Sequence, residues 1–184
     1  MVSFQKVKTF YEQYYDELKA KGGHSYRQTE KGIWISSQSC EVFDLFRKIR
    51  LEQFKHFADL GSGDGKVAII ASLFTKSTGI ECDEELVKRS IEIKEKLGVQ
   101  NVWFEKADFL SKGLSPYDIL FIYPDNPIIR LEQKILKEFK GDLIVCGGIF
   151  LPEKLVQKNV VQINNAVFRV YRRGWLRRLY WGSR

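Results

Sequence analysis

The feature that most constrains this chain is the stretch from His56 to Gly65, which reads HFADLGSGDG. Its first half predicts a short buried strand, its second half carries three glycines at alternate positions, and the apolar run KVAIIASLF that follows predicts a helix. A strand, a glycine-rich turn and a helix open a nucleotide-binding βαβ unit, in which glycine allows a tight turn and a close approach of ligand to backbone. The helix start adds unpaired N–H groups and a partial positive charge. The sequence therefore predicts an α/β fold with a ligand at this turn.

Two carboxylates distinguish this turn from a dinucleotide site. The glycine spacing is G-x-G-x-G instead of the dinucleotide pattern G-x-G-x-x-G, and Lys66 follows the last glycine. Asp59 and Asp64 would repel a pyrophosphate, but they suit a ligand that carries an ammonium group and a sulfonium cation. An ordinary glycine turn of some other α/β protein is the alternative interpretation.

The segment from Asp59 to Gly65, DLGSGDG, resembles the first motif of the class I S-adenosylmethionine-dependent methyltransferases, an acidic residue followed by G-x-G-x-G. The resemblance implies S-adenosyl-L-methionine as cofactor and the Rossmann-like fold of that class, with a mostly parallel central sheet. It also implies cofactor contacts for the residues of this motif, which are Asp59, Gly61, Ser62, Gly63, Asp64 and Gly65.

The other apolar segments complete the pattern of an α/β protein. Apolar residues at helical spacing predict an amphipathic helix over residues 4–21, and the polar residues 24–31 predict a loop. A short extended piece at residues 32–37 precedes a helix over residues 41–50, which Ser39 is expected to cap. After the glycine turn, four more strands are predicted at residues 77–81, 102–105, 118–123 and 142–146. The third of these is the most hydrophobic and should be central in a parallel sheet.

The end of the chain predicts an antiparallel hairpin over residues 160–171, with its turn at Asn164-Asn165. A terminal hairpin after alternating strands and helices is also how the sheet of class I methyltransferases ends. We therefore expect an extra N-terminal helix and loop at residues 1–31 within the same domain, a cofactor-binding domain at residues 32–172, and a basic aromatic tail at residues 173–184.

Composition narrows the classes of protein that this chain can belong to. Its 184 residues suffice for one domain with a real core, and no run of about 18 apolar residues predicts a transmembrane helix. The N-terminus lacks the apolar segment of a secretion signal. Three widely spaced cysteines and only two histidines argue against disulfides, zinc and any metal site, and favour a cytoplasmic location. The net charge of +7 favours acidic partners, although a lysine-rich thermophile surface explains it equally well.

Further cofactor residues are expected at the ends of the next two strands. Glu81 ends the second strand 22 positions after Asp59, where an acid is the expected partner of ribose hydroxyls. In class I methyltransferases, an acid after the third strand commonly binds the adenine amino group beside an apolar residue, and the resemblance assigns these roles to Asp108 and Phe109. A solvent-facing glutamate and an ordinary loop aspartate are the alternatives.

The strand at residues 118–123 ends in the sequence YPDNP, residues 123–127. Ligands of open α/β sheets lie at the carboxyl ends of strands, so we expect methyl transfer to occur beyond this strand end. The candidate catalytic residues are accordingly Tyr123, Asp125 and Asn126. Asn126-Pro127 partly matches the D/N-P-P-Y/F motif of amino-group DNA and RNA methyltransferases, but lacks its second proline and its aromatic residue. The prolines alternatively begin the next helix.

Within the class, the chain is most similar to small protein-lysine methyltransferases, a group that includes archaeal broad-specificity enzymes and mitochondrial enzymes that modify an ATP synthase subunit. The residues from Asp59 to Val67 follow the group's D-L/I-G-x-G-D-G-R/K-[IV] pattern, whereas residues 34–38, WISSQ, depart from its Y-V-P-T/S-P-like segment. The resemblance implies a protein lysine as substrate. An RNA methyltransferase and a non-catalytic module that binds nucleotide or RNA are the alternatives.

The last residues of the chain, RRGWLRRLYWGSR, contain five arginines and no acid. Arginine next to aromatic residues suits the phosphates and stacked bases of nucleic acid, and it equally suits an anionic membrane surface or another acidic partner. A chain end that packs on the fold is the remaining interpretation.

Overall fold

The computed structural model describes residues 2–23, 26–29, 32–35 and 37–174. The helices are α1 (Phe4–Ala20), α2 (Ser39–Lys48), α3 (Lys66–Ala71), α4 (Glu84–Leu97) and α5 (Ile129–Glu138), and a short 3-10 helix spans Leu51–Gln53. The strands are β1 (Tyr26–Thr29), β2 (Gly32–Ile35), β3 (His56–Leu60), β4 (Lys76–Glu81), β5 (Val102–Lys106), β6 (Ile119–Ile122), β7 (Asp142–Cys146), β8 (Val156–Ile163) and β9 (Ala166–Arg172).

Seven strands form one sheet in the order β5-β4-β3-β6-β7-β9-β8. The strands β3 to β7 pair in parallel, and β9 joins β7 and β8 in antiparallel pairs. This arrangement confirms the predicted α/β, Rossmann-like fold with its mostly parallel sheet, terminal hairpin and extra N-terminal helix. The chain leaves β3 toward β4 on one side and later returns to β6 on the other. The resulting switch point lies at the carboxyl ends of β3 and β6, where open sheets of this kind bind ligands.

The core lies on both faces of this sheet, which explains why its central strands are continuous apolar runs. All four residues of β6 are buried, and β6 occupies the middle of the sheet as predicted. One face packs against the first four helices, and Val7 and Tyr11 of α1 are fully buried there. The other face packs against α5 through Leu131 and Ile135.

Two local predictions are wrong. Residues 26–29, expected to be a loop, form β1, which pairs with β2 so that Tyr26 lies opposite Ile35. Backbone hydrogen bonds hold such a pair and require no apolar periodicity, so a polar sequence gives no signal for it. Ser39 is the first residue of α2 and not its cap; Gln38 occupies the N-cap position and makes no side-chain cap bond.

Among the residues that the structure describes, no helix combines the length and the apolar character needed to cross a membrane. The tail from residue 175 onward lies outside the described residues, so the interpretations of that tail stay predictions.

Candidate active site

The glycine turn after β3 uses its glycines in different ways. Gly61 has φ +78°, and no heavy atom lies within 4 Å of the position that a Cβ would take, so its bare face is open. Gly65 has φ +83°, and a Cβ there would stand 2.5 Å from Cζ of Phe104 and 2.8 Å from Cβ of Ser90. Gly61 therefore leaves room for a ligand, whereas Gly65 allows the turn to pack against β5 and α4.

Glu81 links the turn to the end of β4. Its carboxylate is buried and accepts hydrogen bonds from the backbone N–H of Gly63 at 2.9 Å, of Cys82 at 2.8 Å and of Asp83 at 2.9 Å. These N–H groups hold the carboxylate in one orientation beside the glycine turn. The predicted ribose acid is thus a preorganised acceptor, and Gly63 supports it through its N–H group.

Asp59 and Asp64 bring two more buried carboxylates to the same turn; their side chains are 3% and 1% exposed. Burial raises the pKa of Asp59 well above its usual value, and the nearby carboxylates of Glu81 and Asp64 raise it further. Burial also raises the pKa of Asp64, although the Lys66 ammonium and the Tyr15 hydroxyl oppose that shift. A cation bound beside these acids would offset their mutual repulsion. This group of carboxylates therefore fits a ligand with ammonium and sulfonium groups and is unsuited to a pyrophosphate.

The N-terminal helix reaches this turn through contacts that the sequence analysis missed. The Tyr15 hydroxyl donates to Oδ2 of Asp64 at 2.5 Å, and the Tyr11 hydroxyl donates to the Asp64 carbonyl oxygen at 3.1 Å. Lys66 Nζ donates to the Ser37 carbonyl oxygen at 2.8 Å and lies 4.2 Å from the centroid of the Tyr15 ring. Burial lowers the pKa of Lys66 to about 8. The aromatic stripe of α1 was the only sequence signal for these contacts, and it predicts packing without naming its partner.

A cleft of about 690 Å³ lies above the turn, at the carboxyl ends of β3, β4 and β6. Among the residues that line it are ten of the twelve predicted site residues: Asp59, Gly61, Ser62, Asp64, Glu81, Asp108, Phe109, Tyr123, Asp125 and Asn126. Gly63 and Gly65 do not line the cleft. The hydroxyl of Ser62 packs against Gly79 of β4, where a Cβ would stand 2.6 Å from it, and the described residues offer it no hydrogen-bond partner.

The two ends of the cleft differ in character. At one end, the half-buried Asp108 and Phe109 follow β5, and Oδ1 of Asp108 accepts the backbone N–H of Leu110 at 2.9 Å. At the other end, Tyr123 follows β6 with 53% of its surface exposed. Asp125 and Asn126 are exposed at the same rim. The cleft therefore joins a sheltered end to an end that a large substrate can reach.

Tyr123 is protonated at neutral pH. Partial burial raises the pKa of its hydroxyl above the usual value, and the neighbouring Cys146 and Glu41 raise it further. Within the described ranges, no group of three or more His, Cys, Asp or Glu side chains lies together as metal ligands would. Tyr123 therefore brings to this rim a neutral hydroxyl that can donate or accept a hydrogen bond.

A Rossmann-like sheet with a G-x-G-x-G turn and buried acids at its switch point is the arrangement expected of the class I S-adenosylmethionine-dependent methyltransferases. Residues 51–173 match the sequence profile of the family described as methyltransferase domain, and the chain belongs to that family. The chain is therefore a methyltransferase that uses S-adenosyl-L-methionine as its cofactor.

Individual relatives agree with this assignment. The mouse protein EEF1A lysine methyltransferase 2 is 25% identical over 134 residues, which cover 62% of this chain and 55% of that protein. The chain thus matches about half the length of this curated relative. An RNA methyltransferase from Salinibacter ruber, solved with S-adenosyl-L-homocysteine, superimposes with a TM-score of 0.61 at 21% identity, covering 71% of this chain and 89% of that chain. A SAM-dependent methyltransferase from Aquifex aeolicus gives a TM-score of 0.58 at 19% identity, covering 74% and 93%. Both structural similarities concern the fold.

Proposed function

We propose that this methyltransferase modifies the side-chain amine of a protein lysine. The observation that carries the proposal is the 25% identity with the mouse lysine methyltransferase over 62% of the chain. The open rim of the cleft supports it, because a lysine side chain on a large protein can enter at Tyr123 without the cofactor site having to open.

The cofactor is proposed to lie along the cleft above the glycine turn. Gly61 offers bare backbone, Asp59 and Asp64 supply negative charge for the ammonium and sulfonium groups, and Glu81 accepts the ribose hydroxyls. Asp108 and Phe109 are proposed for the adenine end. Ser62, Gly63 and Gly65 shape the turn: Gly63 holds Glu81, Gly65 packs against Phe104, and Ser62 packs against Gly79.

The transfer step depends more on the positions of the amine and the methyl group than on acid–base catalysis by the protein. When bound, the cofactor would supply a methyl group on a sulfonium, and the carbon–sulfur bond would break with its electron pair on sulfur as the amine nitrogen bonded the carbon. The amine must arrive neutral, so its proton leaves to solvent beforehand, which a site of low polarity promotes. The Tyr123 hydroxyl oxygen can accept a hydrogen bond from the neutral amine, and its ring can face the positive charge that develops on nitrogen during transfer. Asp125 and Asn126 offer further acceptor oxygens at the rim.

An RNA base is the second candidate substrate. Asn126 and Pro127 lie at the exposed end of β6, where the amino-group nucleic-acid methyltransferases carry their related motif, and the arginine-rich tail suits phosphates. The alternative interpretation, that the prolines begin the next helix, also agrees with the structure, because Pro127 directly precedes Ile128, the N-cap of α5.

The test is transfer of tritiated methyl groups from the cofactor into the separated protein and RNA fractions of a cell lysate. We expect label in protein, with methyl-lysine in the acid hydrolysate, and none with Glu81→Ala, which removes the preorganised carboxylate. Label confined to RNA would reject the lysine proposal and favour the second candidate.

A further inference from the structure

A second cavity, of about 420 Å³, adjoins the cofactor cleft. It lies between the start of α2, the end of β7 and the β8–β9 hairpin, and Tyr123 is the one predicted site residue among the residues that line it. Ser37 and Tyr123 line both spaces. The Tyr123 side chain therefore stands where the cavity meets the cleft, which is also the proposed transfer site.

Two charged side chains line this cavity, one acid and one base. Glu41, in the first turn of α2, lines the cavity half-buried, and its carboxylate makes no hydrogen bond or ion pair within the part of the chain that the structure describes. Arg169 brings a positive charge to the same cavity, but its Nη1 donates to the Gly147 carbonyl oxygen at 2.5 Å, and among the described residues it forms no ion pair with Glu41.

Two neighbours show where the Glu41 charge acts. The carboxylate contributes to the raised pKa of Tyr123, and it adds to burial in raising the pKa of the Cys146 thiol to about 12. The negative charge is therefore felt at the wall between the cavity and the cleft. A helix start stabilises an acid by roughly 0.3–1 kcal/mol, so Glu41 also has a purely structural explanation that an experiment must separate.

We propose that this cavity receives the substrate lysine and that Glu41 binds its ammonium group before transfer. The inference rests on the proposed lysine specificity. A charged amine entering a half-buried space needs a counterion, and Glu41 is the carboxylate that faces that space. A carboxylate favours the charged amine, so Glu41 acts in binding and the amine loses its proton as it passes Tyr123 toward the cleft.

The test uses Glu41→Gln, which keeps shape and removes charge, with Asp44→Asn as matched control. Asp44 lies on the same helix but is exposed and outside the cavity. Steady-state methylation of the protein that the wild type labels is measured for each variant. We expect Glu41→Gln to raise KM about 10-fold or more with kcat within about 3-fold, and Asp44→Asn to match the wild type.

A second readout does not depend on the identity of the substrate. The n-butylammonium ion should compete with the protein substrate for the wild type but not for Glu41→Gln. The uncharged n-butanol should compete with the protein substrate for neither enzyme. A third variant, Asn165→Trp, places a bulky side chain on the exposed hairpin turn that lines the cavity and should also raise KM.

The outcomes separate this inference from the proposed function. Equal KM for Glu41→Gln and Asp44→Asn, with label still entering protein lysine, would overturn the inference and leave the lysine proposal standing. A joint loss of melting temperature and S-adenosylhomocysteine affinity in Glu41→Gln would assign Glu41 a structural role and also overturn it. If the wild type labels RNA alone, both the Glu41 inference and the lysine proposal are contradicted.

Discussion

The buried carboxyl of Asp59 makes the folding stability depend on pH. Its pKa is raised by burial, so the folded protein holds a proton on this carboxyl more tightly than the unfolded chain does. Folding stability consequently falls as pH rises through the window between the unfolded value and the raised folded value. A cationic ligand bound beside Asp59, as proposed for the cofactor, would offset the negative charge.

We expect Asp59→Asn to raise the melting temperature of the ligand-free protein at pH 7.5 and to weaken S-adenosylhomocysteine binding by roughly 10- to 100-fold. The loss corresponds to a hydrogen bond to a charged group, about 1.5–3 kcal/mol. Thermal melts with and without ligand, and isothermal titration, measure both effects. Unchanged affinity would show that Asp59 does not touch the cofactor.

Lys66 gives a pH signature of the opposite sign. Its pKa is about 8 in the folded protein, whereas a lysine in an unfolded chain titrates at about 10.4. Between these values the unfolded chain binds more protons, so the Lys66 contribution to the free energy of unfolding rises with pH.

We expect the free energy of unfolding of the wild type, relative to Lys66→Met, to increase by on the order of 2 kcal/mol between pH 8 and pH 10. Urea unfolding at several pH values measures the difference, in which the titrating groups that do not interact with Lys66 cancel. The exposed Lys140, changed to Met, is the matched control and should give a flat difference. A flat Lys66→Met difference would mean that the ammonium is solvated.

At the scale of elements, two glycines of the turn between β3 and α3 are required for different physical reasons. Gly61 and Gly65 both have the left-handed φ that L side chains rarely adopt, but only Gly65 is in close contact with neighbouring side chains. A sequence pattern of alternate glycines contains no information about that difference, because it depends on Phe104 of β5 and Ser90 of α4.

Gly61→Ala is expected to lower stability by about 1–2 kcal/mol, the cost of a left-handed alanine. Its methyl group enters the cleft, so it should weaken S-adenosylhomocysteine binding. Gly65→Ala carries the same backbone cost plus roughly 1–3 kcal/mol of overpacking against the Phe104 ring. Urea unfolding and ligand titration of both variants measure the contrast, and equal destabilisation would contradict the packing role of Gly65.

At the scale of the whole molecule, the terminal hairpin is joined to the sheet as far as Arg172. Tyr171 is buried in the core, and the guanidinium of Arg172 forms two hydrogen bonds with the Asp142 carboxylate at 2.6 and 2.8 Å. A truncation that tests the basic tail must therefore spare β9, and Gly174 is the last residue that the structure describes.

Removing residues 175–184 is expected to leave the melting temperature, S-adenosylhomocysteine affinity and methylation of a soluble lysine peptide unchanged. If the tail delivers RNA, the same truncation should abolish methylation of RNA, and the salt dependence of RNA binding should fall with the lost arginines. The matched control removes residues 171–184 and should unfold the protein, because it takes Tyr171 and the Arg172–Asp142 pair from the sheet.

The sequence by itself determined the order of strands and helices, the parallel sheet, the antiparallel hairpin and the position of the glycine turn. These features depend on local signals: apolar runs of strand length, helical periodicity and glycines beside acids, all of which lie within a few residues of one another. Strand β1 was not predicted, because its pairing with β2 is a backbone pairing and its polar sequence carries no apolar signal.

Only the tertiary structure decided which distant residues meet at the site. Tyr15 reaches Asp64 across 49 positions of sequence, and the Arg169 guanidinium reaches the Gly147 carbonyl across 22. Glu41 comes to Tyr123 because α2 packs beside the central strands. Side-chain contacts between elements follow from packing of the whole chain, which buries apolar surface without regard to sequence distance. Local patterns therefore located the cofactor turn, whereas the cavity beside it exists only in the folded protein.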